Sequence, residues 1–127
     1  MIDCVLDASA VLAYLNGESG AAEVAKLLDG GGISAVNVAE VAGKLAERGA
    51  PHEKIQQTIE ALGMEIIDCD GSLAYRIGEL RGPTKGLGLS LGDRACLATA
   101  IQCGVRAITA DRHWKRVSAG VKIHVIR

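Results

Sequence analysis

The sequence predicts an α/β fold built around a parallel sheet of five strands. Short apolar runs rich in Val and Ile alternate along the chain with longer segments whose apolar residues recur with the helical period. This alternation is typical of successive βα units, in which helices pack around a parallel sheet. The 127 residues suffice for one domain, 1–127, with a core of its own.

Each predicted element rests on its own local pattern. The strands are the apolar runs at about Ile2–Leu6, Gly32–Ser34, Met64–Asp68, Ala107–Thr109 and Lys122–Ile126. Helical periodicity fills the intervals, at Ala8–Leu15, Gly20–Leu28, Val36–Arg48, Pro51–Leu62, Ser72–Arg81 and Leu91–Cys103, with a short helix after Asp111. Pro51 suits a first helical turn, and Gly104 suits a helix end. Glycines and a proline predict a loop over Gly82–Gly88, which either borders a site or only connects two helices.

The composition excludes several classes of protein. Hydrophobic residues make up 49% and charged residues 23% of the chain, as in a packed globular protein rather than a disordered or fibrous one. No apolar run reaches the roughly 18 residues that a membrane-spanning helix needs, and the N-terminus lacks the pattern of a secretory signal. We therefore expect a cytoplasmic protein that does not associate with a membrane.

The charge is small overall but unevenly distributed. The net charge of −1 argues against a general binder of polyanions. All 15 acidic residues lie at or before Asp111, and every charged residue after it is basic: Arg112, Lys115, Arg116, Lys122 and Arg127. This polarity is compatible with an acidic site beside a basic surface, and equally with a solvated basic tail.

Two acidic residues follow predicted strands. Asp7 closes the first strand, and Asp111 comes just after the fourth. The carboxyl ends of parallel strands form the edge at which open α/β folds bind ligands. Each residue also has a purely structural explanation, because an aspartate can cap the following helix by accepting hydrogen bonds from its first backbone N–H groups.

Two further acidic residues fall within predicted helices. Asp93 lies in a first helical turn, where Ser90 and Asp93 have the spacing of a capping box. Glu40 lies inside the third helix, and Lys44 four residues later could pair with it on a solvated face. Helix capping and surface ion pairing are therefore sufficient explanations for these two residues taken singly.

The four acidic residues converge if the first and fourth strands are neighbours. Asp7 and Asp111 then meet at the carboxyl edge, Asp93 starts near that edge, and Glu40 joins them if its helix leans over the first strand. Crowded carboxylates raise one another's pKa unless a cation neutralises them. No His or Cys stands at zinc-ligand spacing, and oxygen ligands alone select Mg²⁺ or Mn²⁺.

Four motifs in order support this interpretation. They are Leu6-Asp7-Ala8-Ser9-Ala10, Asn37-x-x-Glu40, Ser90-Leu91-Gly92-Asp93-Arg94-Ala95-Cys96-Leu97-Ala98 and Thr109-Ala110-Asp111-x-x-Trp114. The sequence resembles the PIN domain family over essentially its whole length, most closely the VapC-type toxins of bacterial toxin–antitoxin pairs. The resemblance implies a three-layer α/β/α sandwich with a five-stranded parallel sheet. It also implies RNA cleavage dependent on Mg²⁺ or Mn²⁺, homodimerisation, and inhibition by a small antitoxin.

The resemblance also implies roles for individual residues. Metal binding and catalysis fall to Asp7, Glu40, Asp93 and Asp111. Polar groups that support these acids or contact the substrate are Ser9, Asn37 and Thr109. Contacts to the RNA backbone are expected from Arg94, Arg112, Lys115 and Arg116, and also from Lys85.

The expected mechanism is hydrolysis of a phosphodiester by metal-activated water, because no Ser, Cys or His is placed with a base as a protein nucleophile. Asp93 or Glu40 could instead act as general base. Two rival functions remain open. An Asp-dependent phosphotransfer enzyme would share Asp7, although the haloacid-dehalogenase type carries a second Asp where Ser9 stands. A non-catalytic α/β interaction module would use the four acids only as helix caps.

Overall fold

Five strands and six α-helices alternate along the chain in the computed structural model, which describes all 127 residues. The strands are β1 (Cys4–Leu6), β2 (Gly31–Ser34), β3 (Glu65–Ile67), β4 (Arg106–Thr109) and β5 (Ile123–Val125). The helices are α1 (Ala8–Leu15), α2 (Ala21–Leu27), α3 (Ala35–Glu47), α4 (His52–Glu60), α5 (Gly71–Glu79) and α6 (Leu91–Cys103). A 3-10 helix, Arg112–Arg116, follows β4. None of these helices has the length and apolar character needed to cross a lipid bilayer.

The five strands form one parallel sheet in the order β3-β2-β1-β4-β5. The chain begins in the centre of the sheet, moves outward to β3, and then crosses back to β4 on the other side of β1. Val5 pairs with Ala107 and Leu6 with Ile108, so the predicted adjacency of the first and fourth strands is confirmed. The carboxyl ends of β1 and β4 meet where the strand order reverses, which is the position at which open α/β sheets bind ligands.

Helices cover both faces of the sheet because the central strand is apolar on both sides. Leu6 packs in a cluster with residues of α1 to α4, whereas Val5 packs in a second cluster with α6 and Trp114. Successive side chains of a strand point to opposite faces, so an unbroken apolar run such as β1 requires two covering layers. The three-layer α/β/α sandwich is therefore confirmed.

The predicted elements all exist, and their ends differ from the predictions by at most two residues. The bounds of α1 and α6 agree with the predictions, and Gly104 ends α6 with a φ of +67°, which favours glycine. The prediction that Pro51 lies in a first helical turn is wrong, because Pro51 precedes α4 in an extended conformation. Segment 82–88 connects α5 to α6 through turns, and none of its residues lines the acidic cavity described below.

Candidate active site

One cavity of about 220 Å³ at the carboxyl edge of the sheet brings the four predicted acidic residues together. Each comes from a different part of the chain: the end of β1, the middle of α3, the first turn of α6 and the residues after β4. The acidic cavity is lined by Asp7, Ala8, Ser9, Leu12, Asn37, Glu40, Lys44, Asp93 and Asp111.

Asp7 is the most deeply buried of the four, with 3% of its surface exposed. Its Oδ1 accepts hydrogen bonds from the Ser9 hydroxyl at 2.7 Å and from the Ala10 N–H at 2.8 Å. Its Oδ2 accepts one from the Thr109 hydroxyl of β4 at 2.6 Å. Asp7 therefore caps α1, as the structural alternative predicts, and it also lines the cavity and joins β1 to β4.

Burial raises the pKa of Asp7 to about 6. The hydrogen bonds from Thr109, Ala10 and Ser9 oppose this effect, and the negative charge of Asp93 adds to it. A carboxylate that is desolvated and close to another acid is costly to ionise unless a cation lies nearby. The electrostatics of the cavity thus favour the binding of positive charge.

Asp93 begins α6 in a complete capping box. Its Oδ2 accepts the Ser90 N–H at 2.9 Å, while its own N–H donates to the Ser90 hydroxyl at 3.1 Å. Its Oδ1 forms no hydrogen bond within the protein, so one carboxylate oxygen remains available to a ligand.

Asn37 and Gly92 set the position of Glu40. The Asn37 side-chain amide donates to Glu40 Oε1 at 2.7 Å and to the Gly92 carbonyl at 3.0 Å, which ties α3 to the first turn of α6. A Cβ on Gly92 would lie 2.6 Å from Glu40 Oε2, so this close approach needs a glycine. The predicted surface pair with Lys44 does not form, because the ion pair of Lys44 is with Glu47.

Asp111 caps the 3-10 helix, with its Oδ1 accepting the His113 N–H at 2.9 Å. The backbone around it is held by two hydroxyls of the site. The Ser9 hydroxyl accepts the Ala110 N–H at 2.9 Å, and the Thr109 hydroxyl accepts the Asp111 N–H at 3.1 Å. Ser9 and Thr109 therefore fix Asp7 and Asp111 relative to each other.

The Ser9 hydroxyl belongs to the hydrogen-bond network of the site. It lies beside a carboxylate because the first turn of α1 brings it back over Asp7. The same hydroxyl accepts a backbone N–H and lies 3.2 Å from the Thr109 hydroxyl, so its bonds connect α1 with the end of β4.

The donor set of the cavity fits a divalent cation that prefers oxygen ligands. Four carboxylates face one space, and no Lys or Arg forms an ion pair with any of them. No three of them lie close enough to enclose an ion as the side chains are positioned. Binding a cation would therefore require rotation of carboxylates, which is open to Glu40, Asp93 and Asp111 because each has an oxygen without a hydrogen bond.

The basic residues divide into two groups. Arg112 lies in a depression that adjoins the acidic cavity and shares Ser9 and Asp111 with it. Lys115 and Arg116 are exposed on the same 3-10 helix but line neither space, and Lys85 is exposed in the α5–α6 connection.

The prediction that Arg94 contacts the RNA backbone is corrected by the structure. Its buried guanidinium donates to the Ile77 carbonyl of α5 at 3.1 Å and does not line the acidic cavity. Consecutive helical residues point about 100° apart. The residue after Asp93 therefore faces away from the site.

Comparison with known proteins agrees with this geometry. Residues 4–120 match the model of the PIN domain family. The chain belongs to this family. PIN domains are nuclease domains, and PIN nucleases generally use divalent metal ions. No curated protein matches the sequence.

Solved structures with the same PIN fold include three toxin-related proteins. A toxin–antitoxin complex from Klebsiella pneumoniae is 22% identical with a TM-score of 0.76 over 98% of both chains. A DNA-bound VapBC from Salmonella typhimurium is 20% identical with a TM-score of 0.78 over 100% of both chains. VapC20 of Mycobacterium tuberculosis, a toxin that cleaves the sarcin–ricin loop, is 12% identical with a TM-score of 0.64 over 85% of this chain and 88% of its own.

Two residues of this PIN domain site are not predicted by the sequence patterns. Lys44 lies on the same helical face as Glu40, and the spacing of four residues indicates this, but such a spacing is equally typical of a solvated face. Gly92 stands next to Asp93 in a first helical turn, where a glycine indicates close approach of another group. Both patterns are local in the sequence. Whether they belong to the site depends on which helix packs against them, and the sequence does not show that.

Proposed function

We propose that this PIN domain is a metal-dependent endoribonuclease that hydrolyses RNA phosphodiester bonds, and that it is the toxin of a toxin–antitoxin pair. The observation that carries the proposal is the meeting of Asp7, Glu40, Asp93 and Asp111 in one cavity at the carboxyl edge of the sheet. Membership of the PIN family and the fold shared with VapC-type toxins support it.

The four acids would hold Mg²⁺ or Mn²⁺, and the polar residues around them would keep the acids in place. The bound cation would supply an activated water and offset negative charge on the phosphate. Ser9 and Thr109 hold Asp7, and Asn37 holds Glu40. The contacts to Asp7 fix the direction of that carboxylate before any ligand arrives, which reduces the reorganisation that binding requires.

Glu40 and Asp93 are the candidates for general base. Each, like Asp111, has a carboxylate oxygen without a hydrogen bond inside the protein, whereas both oxygens of Asp7 already accept hydrogen bonds. A base needs a free lone pair within reach of the proton that it removes. Arg112, Lys115 and Arg116 would bind phosphates beside the site as counter-charges.

The proposed partners are an antitoxin protein and a second copy of this chain. Structures with the same fold include toxin–antitoxin complexes, which supports the first partner. An antitoxin Arg or Lys could inhibit by entering among the four acids, where it would compete with the metal. Inhibition should then weaken as Mg²⁺ is raised. Light scattering at micromolar concentration tests the homodimer.

A cleavage assay tests the function. The purified protein is incubated with single-stranded RNA in Mg²⁺, in Mn²⁺ and in EDTA, and the variants are Asp7→Asn, Glu40→Gln, Asp93→Asn and Asp111→Asn. We expect cleavage only with the metals and a loss of at least about tenfold in each variant, which is about 1.4 kcal/mol of transition-state stabilisation. Glu53→Gln changes an exposed acid on α4 and should cleave like the parent.

The same proteins separate the rival functions. Either metal should raise the melting temperature of the parent, because a ligand of the native state stabilises it, and the Asp7→Asn protein should gain less. An interaction module whose acids are only caps would show no shift and no cleavage. A phosphotransfer enzyme would instead incorporate phosphate covalently at Asp7. Parental cleavage by all four site variants would refute the proposal.

A further inference from the structure

Lys44 is the one basic residue that lines the acidic cavity. It lies one turn beyond Glu40 on α3, and Asn37, Glu40 and Lys44 are spaced by three and four residues, so they share one face of the helix. An ammonium group is thus placed at the border of a space that otherwise presents four carboxylates.

The ammonium group of Lys44 contributes little to the stability of the fold. Its ionic contact is with Glu47 at 3.7 Å, between side chains that are 57% and 73% exposed. Exposed pairs of this kind contribute little to stability and exchange readily with solvent. The side chain of Lys44 is therefore free to leave Glu47 for a stronger anionic partner.

Positive charge also lies beside Asp111. Ser9 and Asp111 line both the acidic cavity and the adjoining depression, whose wall includes Arg112 and Arg127. The two spaces share these two residues, so a chain that crosses the four acids from Lys44 toward Asp111 would next meet Arg112. A nucleic acid carries a phosphate at every nucleotide, and those flanking the acids need counter-charges of their own.

We propose that Lys44 binds a substrate phosphate on the α3 side of the acidic cavity, with Arg112 on the Asp111 side, so that the RNA strand is held on both sides of the bond to be cleaved. This inference rests on the proposed ribonuclease function and assigns the path of its substrate. Lys44 is then a substrate-binding residue. Its effect should appear in the electrostatic component of RNA binding.

The test measures binding of a labelled single-stranded RNA by fluorescence anisotropy in Ca²⁺, over a salt series from about 50 to 200 mM. Gel electrophoresis of the recovered probe checks that it stays intact. The proteins are the parent, Lys44→Gln, Lys44→Arg and Lys54→Gln. Lys54 is the matched control, because it is an exposed helical lysine on α4 that does not line the cavity.

The slope of log K against log salt is negative, and loss of one phosphate contact on a single strand reduces its magnitude by about 0.7. We expect this reduction for Lys44→Gln and the parental slope for Lys44→Arg and Lys54→Gln. Unfolding in urea should be the same for all four proteins, since the pair with Glu47 adds little to stability.

Two results would overturn the inference, and they are distinguishable. If the parent binds and cleaves RNA but Lys44→Gln and Lys54→Gln share its salt slope, Lys44 is a surface lysine and the proposed function stands. If the parent neither binds nor cleaves RNA, the proposed function fails and this inference fails with it.

Discussion

Asp7 shows how a single carboxylate serves both the scaffold and the candidate site. Its Oδ1 accepts the Ala10 N–H at the start of α1, and its Oδ2 accepts the Thr109 hydroxyl from β4. Burial nevertheless raises its pKa to about 6, so the hydrogen bonds do not fully compensate for the loss of water. The ionised form of this residue is a cost to the folded protein when no cation is bound.

This cost predicts how stability depends on pH. An aspartate in an unfolded chain has a pKa of about 3.9. The pKa of Asp7 in the folded protein is about 6, so the folded protein binds the proton more tightly. The stability that protonated Asp7 contributes is therefore present below about pH 4 and is lost as pH rises through about 6, by about 3 kcal/mol in total. Asp7→Asn should thus stabilise the protein in EDTA at pH 7 more than at pH 4, as measured by urea unfolding.

Asp70→Asn is the matched control for that measurement. Asp70 caps α5 by the same arrangement, with its Oδ1 accepting the Leu73 N–H at 2.9 Å, but it is exposed. The difference between Asp70→Asn and the parent should lack the rise toward neutral pH expected for Asp7→Asn. If the effect of Asp7→Asn were the same at pH 4 and pH 7, burial would not govern the ionisation of this residue.

The individual acids could be predicted from the sequence, whereas their partners could not. Strand ends and helix starts placed Asp7, Asp93 and Asp111 at one edge of the sheet, and both their capping bonds and their convergence are present. The hydroxyl bridge from Thr109 to Asp7 joins residues 102 positions apart, and no local pattern indicates it. The direction of Arg94, by contrast, follows from the helical period, because it comes directly after Asp93 and consecutive helical residues point about 100° apart.

At the scale of elements, the contact between α3 and α6 determines where Glu40 lies. Gly92 has no side chain, and Asn37 donates to its carbonyl, so the first turn of α6 lies directly against the Glu40 carboxylate. The sequence predicted both helices but only supposed that α3 leans toward β1. That packing depends on one glycine and one buried amide from distant parts of the chain.

Gly92→Ala should therefore reduce activity without unfolding the protein. Alanine in a helix stabilises by about 0.5 to 1 kcal/mol relative to glycine, but here the new Cβ would displace the carboxylate of Glu40. We expect slower RNA cleavage and a smaller Mn²⁺-induced rise in melting temperature. Gly43→Ala on α3 meets no atom within 4 Å and should be stabilising with full activity. Full activity in both variants would show that RNA cleavage does not depend on the position of the Glu40 carboxylate.

At the scale of the whole molecule, residues 124–127 pack against the α1–α2 connection and the first turn of α2, and this contact is called the closure below. Arg127 pairs with Glu18 at 2.9 Å, and His124 contacts Glu23. Ile126 packs so closely on Gly20 that a Cβ there would lie 2.7 Å from Ile126 Cδ1 and 2.9 Å from its backbone oxygen. The sequence predicted the last strand but not this closure, which joins segments about a hundred residues apart.

Two glycine variants measure the contribution of this closure. Gly17 and Gly20 both have left-handed φ angles, of +64° and +95°, but only Gly20 faces Ile126. Gly17→Ala should cost about 1 to 2 kcal/mol from backbone strain alone. Gly20→Ala should cost about 1 to 3 kcal/mol more, because the overpacked backbone oxygen cannot rotate away. Equal free energies of unfolding in urea for the two variants would mean that the closure is loose.

The central position of β1 has a consequence for protein synthesis. Asp7 directly follows β1, whereas the neighbouring strand β4 and Asp111 are translated about a hundred residues later. A nascent chain that lacks β4 has neither the Thr109 hydroxyl that holds Asp7 nor the fourth acid of the cavity. The site therefore cannot assemble until β4 and Asp111 have been translated, so a ribosome making this proposed ribonuclease carries an inactive chain up to that point.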